Sequence, residues 1–178
     1  AMKGGSRAST TSAAASAPLA MPVASPAAIA APSGQPSTVN RCPVITEASA
    51  EELDALAQDL SGFHAAFSFL IGREIASHGP ATIALIRGPE FTGRFGLGGS
   101  RLGFAWETLE GAFAFVLLQP SRVETRRILF HEYTHLLLWR HRNALIPRWY
   151  TEGLADYFST VAFRDGALVV GAVPAERL

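Results

Sequence analysis

His131-Glu132-Tyr133-Thr134-His135, followed by Pro147-Arg148-Trp149-Tyr150-Thr151-Glu152-Gly153-Leu154-Ala155-Asp156-Tyr157, decides how this chain is read. The first stretch lies inside an apolar run, with Ile128-Leu129-Phe130 ahead of it and Leu136-Leu137-Leu138-Trp139 behind. The spacing predicts a helix. Residues four apart stand one above the other on a helix face, so His131 and His135 present two imidazoles to one point. A helix this apolar is mostly buried, and burying two His and a Glu without partners costs roughly several kcal/mol. A metal ion satisfies all three: the imidazoles ligate it, and Glu132 reaches a water on it. A catalytic zinc takes three protein ligands and keeps one position open. Glu152, on a second helical pattern, supplies the third.

HExxH followed by a Glu on the next helix resembles the gluzincin pattern of thermolysin-like metallopeptidases. The wording LFHEYTHLLL followed by IPRWYTEGLADYFS is similar to the small peptidase-MA-like domains of bacterial proteins. The resemblance is strong from Ile128 to Phe163, weaker back to about Arg41, and does not reach the first forty residues. It implies a minimal zincin fold of the α+β class. In such a fold a small mixed or antiparallel sheet packs on an N-terminal helix and an active-site helix pair. It implies one Zn2+ held by His131, His135 and Glu152, with Glu132 as the general base. Asp156, four residues after Glu152, would hydrogen-bond a ligand His, here paired with His131, and fix its tautomer. It also implies that an edge strand just before the metal helix, here Ala112 to Leu118, holds an extended substrate. Residues 158–178 hold no His or Tyr to serve as the oxyanion stabiliser that thermolysin places downstream. Tyr150 and Tyr157, with His141 and Arg148, are the candidates for that task.

Composition bounds the rest. The 178 residues allow one domain and a tail. Lys plus Arg and Asp plus Glu balance at 15 each, so no basic excess points to nucleic acid. The single Cys, Cys42, excludes an intramolecular disulfide and any Cys-rich zinc site. No apolar run approaches the ~18 residues that cross a bilayer. Residues 1–40 are rich in Ala, Pro and Ser and read as a disordered linker. Lys3 and Arg7 precede a stretch broken by Pro18, Pro22 and Pro26, which builds no continuous signal-peptide core. Ala/Pro linkers are frequent in exported bacterial proteins, which leans toward a periplasmic or secreted location but leaves the compartment open.

The zincin-like domain is expected over residues 41–178. Cys42 to Thr46 reads as a first strand. Ser49 and Glu52 form a capping box, and Leu53, Leu56, Leu60, Phe63, Phe67 and Leu70 trace one helix face to about Ile71. His64 and His78 read as structural. Ala81 to Ile86 and Leu102 to Trp106 read as strands, and the glycine-rich stretch 91–103 as a loop beside the site. Glu107 and Glu110 read as turn or exposed residues. Ser121 with Glu124 fits a second capping box at the start of the metal helix, whose Arg122, Arg126 and Arg127 read as a solvated face. Pro147 opens the next helix, and Gly153 within it is explained by close approach of the two helices. Asp165-Gly166 reads as a turn before a last strand, Ala167 to Val170. Pro174 to Leu178 reads as the start of a further helix, so the domain is expected to continue past the C-terminus.

Two functions from different classes fit these residues. One is a zinc-dependent peptidase acting on a peptide or protein. The other is a catalytically inactive, zinc-stabilised module that binds or scaffolds an extended peptide. A third, a metal-dependent hydrolase of another bond, shares the ligands and differs in the cleft.

Overall fold

The capping box at Ser49 starts the helix that anchors the fold. In the computed structural model, which describes residues 20–22, 38–39, 42–75, 81–88, 101–109, 111–141 and 146–172, the Ser49 Oγ accepts from the Glu52 N–H at 3.2 Å. The Glu52 carboxylate accepts from the Ser49 N–H at 2.8 Å. Helix α1 (Ala50–Ile71) ends on Gly72, whose φ of 72° is the left-handed cap that favours glycine. Before it come β1 (Ala20–Pro22), β2 (Thr38–Val39) and β3 (Cys42–Thr46). After it come β4 (Ala81–Ile86), β5 (Gly103–Glu107), β6 (Ala112–Leu117), helices α2 (Arg122–His141) and α3 (Arg148–Ser159), and the hairpin β7 (Ala162–Arg164) and β8 (Ala167–Val169).

The main sheet is mixed, in the order β2-β3-β4-β6-β5. β3, β4 and β6 run parallel, while β2 and β5 pair antiparallel with their neighbours. The class is α+β, with a mixed sheet. The strand that precedes α2 is nevertheless not an edge. β6 is bonded on both sides, to β4 and to β5, and the edge beside α2 among the described residues is β5. The expectation puts the free ladder one strand too late. The β5–β6 hairpin, in which the Thr108 N–H donates to the Gly111 carbonyl at 2.8 Å, puts β5 outside β6, and a strand's place in the sheet is set by which strands pair with it rather than by its own propensity.

One face of the sheet and the helices share the core. Along β6, Ala112, Ala114 and Val116 alternate inward, and Ala81, Ile83 and Leu85 of β4 join them. Opposite lie Leu56, Leu60, Phe63 and Phe67 of α1, and Leu129, Phe130, Tyr133, Leu136 and Leu137 of α2. Two ring pairs tie α1 to both site helices. Phe63 stacks on Phe130 with centroids 4.3 Å apart, and Phe67 meets Phe158 of α3 at 4.5 Å. Such pairs add about 0.5–1.5 kcal/mol each beyond the area they bury. His64 is structural: one ring nitrogen lies 3.0 Å from the Tyr133 hydroxyl and the other 2.8 Å from the Ile75 carbonyl. Of the arginines read as a solvated face, Arg122 donates to Asp59 of α1 at 2.9 Å, and Arg126 stands 4.0 Å from it.

Residues 165–166 turn the β7–β8 hairpin with φ values of 51° and 74°, as the Asp-Gly pair predicts. Two pairings fall inside the stretch read as a linker: β1 on β8, and β2 on β3. His78, Glu110, residues 91–100 and residues 174–178 lie outside the described residues. No described helix is long and apolar enough to cross a membrane.

Candidate metal centre

Over residues 129–137, which carry both imidazoles, helix α2 is packed on nearly every side. Leu136 and Leu137 are fully buried, and Thr134, also buried, bonds its hydroxyl back to the Phe130 carbonyl at 2.7 Å. That packing fixes the face on which His131 and His135 stand, with rings 5.0 Å apart and 72° between planes. Trp139, one turn further on, stacks beside His135 at 5.9 Å. Helix α3 packs against α2 and brings Glu152 over the same face.

Three atoms meet there. The two Nε2 atoms are 3.3 Å apart, and Glu152 Oε2 lies 3.4 Å from each. A tetrahedral ion with bonds of about 2.0–2.1 Å has ligand-to-ligand edges of about 3.3–3.4 Å. The triangle therefore has the dimensions of one face of a tetrahedral zinc site, and its donor set of two imidazoles and a carboxylate suits that ion.

The neighbours orient the three atoms. Asp156 Oδ1 lies 3.2 Å from His131 Nδ1. A hydrogen bond there puts the proton on Nδ1 and turns the Nε2 lone pair toward the triangle. Arg148 Nε donates to Glu152 Oε1 at 3.2 Å, so one carboxylate oxygen is held by the guanidinium and the other faces the imidazoles. Burial raises the Glu152 carboxyl, but His135, Arg148 and His131 outweigh it and hold it below its ordinary value. Burial, then the neighbouring His131, lower His135, which favours the neutral ring that a metal needs.

No family profile, curated protein or solved structure matches this chain.

Glu132 is 7% exposed. Burial pushes its carboxyl up to about 8, the Glu152 carboxylate adds to the rise, and the Arg101 guanidinium opposes it. The side chain fits because β5 passes it at a glycine. A Cβ on Gly103 would stand 2.6 Å from Ile128 Cγ2 and 2.8 Å from Glu132 Oε1. The close approach that sequence reasoning assigns to Gly153 is here instead. Gly153 is exposed, and a Cβ on it would meet nothing within 4 Å.

The triangle and Glu132 open into a cleft of about 560 Å³, walled by β5, by α2 and by the start of α3. Phe104, Ala105, Leu138 and Ile146 give it apolar sides. Tyr150 and Tyr157, the expected oxyanion stabilisers, do not line it. Tyr150 is 46% exposed, and the Tyr157 ring lies against Gly171. The His141 side chain lies outside the described residues. Arg148 does line the cleft, and so does Arg101, which sequence reasoning misses. Arg101 sits just ahead of an unremarkable strand, and no local pattern distinguishes it from a solvated cation.

Proposed function

We propose that this chain is a zinc-dependent peptidase of minimal zincin architecture, with His131, His135 and Glu152 as the metal ligands. The observation that carries the reading is the near-equilateral triangle of 3.3–3.4 Å, placed beside a buried carboxylate at an open cleft. A zinc ion held there would supply Lewis-acid polarisation of a carbonyl and make a nearby water more acidic.

The chain's own groups do the remaining work. Burial raises the Glu132 carboxyl to about 8; a divalent cation in the triangle would favour its ionised form, and that carboxylate takes the proton of the attacking water. It returns that proton to the leaving amine. Asp156 keeps His131 in one tautomer, and Arg148 keeps Glu152 aimed at the imidazoles. β5, the edge strand among the described residues, offers main-chain groups to an extended peptide, which places a peptide bond alongside Glu132 by strand addition. Gly103 lets that strand and Glu132 share the space. A binding module without turnover would use the triangle and the strand, but it has no use for a buried carboxylate beside them.

The test is hydrolysis of a diverse peptide library by zinc-loaded protein and by Glu132→Gln. The natural protein is expected to cleave. The variant should bind zinc equally and lose about 10²–10⁴-fold in rate. A folded, zinc-loaded protein that cleaves no peptide would overturn the proposal.

A further inference from the structure

Among the described residues two guanidinium groups line the cleft: Arg148 in the first turn of α3, and Arg101 two residues ahead of the start of β5. Two carboxylates face them, and both are committed. Glu152 divides its oxygens between the imidazoles and Arg148. Glu132 is buried against Gly103. A divalent cation in the triangle would leave the cleft net positive, so a role for that charge rests on the proposed metal site. Arg148 already spends its Nε on Glu152. Arg101 is exposed and makes no hydrogen bond or ion pair among the described residues, while its charge acts across the cleft on Glu132. It also stands at a defined end of the edge strand. A peptide laid antiparallel along β5 runs its C-terminal side toward the start of that strand, and so toward Arg101.

We propose that Arg101 is a specificity residue that receives a carboxylate of the peptide on the C-terminal side of the cleaved bond. The carboxylate is either an acidic side chain or a free C-terminus. A guanidinium presents a fork of donors that matches a carboxylate, and beside apolar walls the pair is screened less than in open water.

The test uses matched peptides that carry Asp or Asn after the cleaved bond, each with a free or an amidated C-terminus. Two readouts are taken: kcat/KM with the zinc-loaded protein, and fluorescence anisotropy of the labelled peptides on zinc-loaded Glu132→Gln. The expected result is a preference of roughly 10-fold or more for the carboxylate-bearing member of one pair. That preference should shrink with added salt, collapse toward equality in Arg101→Ala and survive in part in Arg101→Lys. The pair that shows it identifies the source, side chain or terminus. Equal handling of all peptides, or a preference that Arg101→Ala leaves intact, would overturn the assignment. An equal loss on every peptide in Arg101→Ala would do the same, since it would make the residue a general support of Glu132. Charge-selective binding to the Glu132→Gln protein with no hydrolysis by the natural one would sink the peptidase reading and leave Arg101 as the receiver of a bound peptide's carboxylate.

Discussion

The two helices that supply the triangle differ in how they are held. α2 is wedged between the sheet, α1 and α3, and its His135 side chain is 10% exposed. α3 is half in solvent: Glu152 is 41% exposed, Asp156 54% and Arg148 82%. The glycines follow the same division. Gly103 faces α2 across a gap too small for a methyl group, and Gly153 on α3 faces open space. The buried wall is thus fixed by packing and carries the proton acceptor. The exposed wall sends Ala155 and Phe158 into the core, but its solvent-facing side is held by polar contacts and carries the third ligand. A cation bridging the two would do more to order α3 than α2, because α2 is already held by its core.

Substitutions on the two walls should break that contrast in different ways. The largest effect is expected at Glu152→Ala, which removes a corner of the triangle. Zinc affinity measured by competition with a chelator should fall by more than the roughly 10–100-fold that an outer partner of a ligand is worth. Asp156→Asn should cost about that 10–100-fold in metal affinity or activity, because the amide no longer favours the Nδ1–H tautomer of His131. An unchanged affinity in Asp156→Asn would show that the 3.2 Å contact orients nothing. On the buried wall, Gly103→Ala should destabilise the fold by about 1–3 kcal/mol in denaturant unfolding. Activity should drop with it, since Ile128 and Glu132 are the atoms that must move.

Titration gives a smaller effect with a definite sign. In metal-free protein the Glu132 carboxyl is raised from 4.5 to about 8. Between those values the folded state holds a proton that the unfolded chain has lost. Glu132 therefore supports the fold fully below about pH 4.5, and its contribution drains away as pH rises through about 8. The lowered His135 and Glu152 act in the opposite sense, losing stability as pH falls. The difference between the natural protein and Glu132→Gln isolates the first effect. The natural protein should lose more than about 1 kcal/mol relative to the variant as pH rises from 4.5 to 8. The smallest change is expected at Gly153→Ala. It should raise stability by about 0.5–1 kcal/mol, since an exposed helical glycine with free space gains helix propensity and loses nothing. A loss there would mean that α3 packs more closely than its exposed surface shows.

Much of this arrangement is legible in the chain because it is local. Four-residue spacing puts His131 and His135 on one helix face, Ser49 and Glu52 cap α1 as their spacing predicts, and Asp165-Gly166 turns the last hairpin. Asp156 falls opposite His131 for the same reason, since one turn of α3 separates it from Glu152. The errors concern which elements come to lie side by side. β6 is an inner strand because β5 folds back onto it, and nothing within Ala112–Leu117 reports that partner. A glycine in a helix and a glycine opening a strand look alike until the neighbouring element is known, so sequence reasoning gives Gly153 the role that belongs to Gly103. Tyr150 and Tyr157 lie near the ligands in sequence, yet neither lines the cleft, while Arg101, thirty residues before His131, does.

The most direct test of the central claim is a crystal structure of zinc-loaded protein with data collected on either side of the zinc absorption edge. One anomalous peak should lie within about 2.0–2.2 Å of His131 Nε2, His135 Nε2 and Glu152 Oε2, with a coordination position open to the cleft. A peak elsewhere, a fourth protein ligand closing the site, or Glu152 turned away from both imidazoles would contradict it.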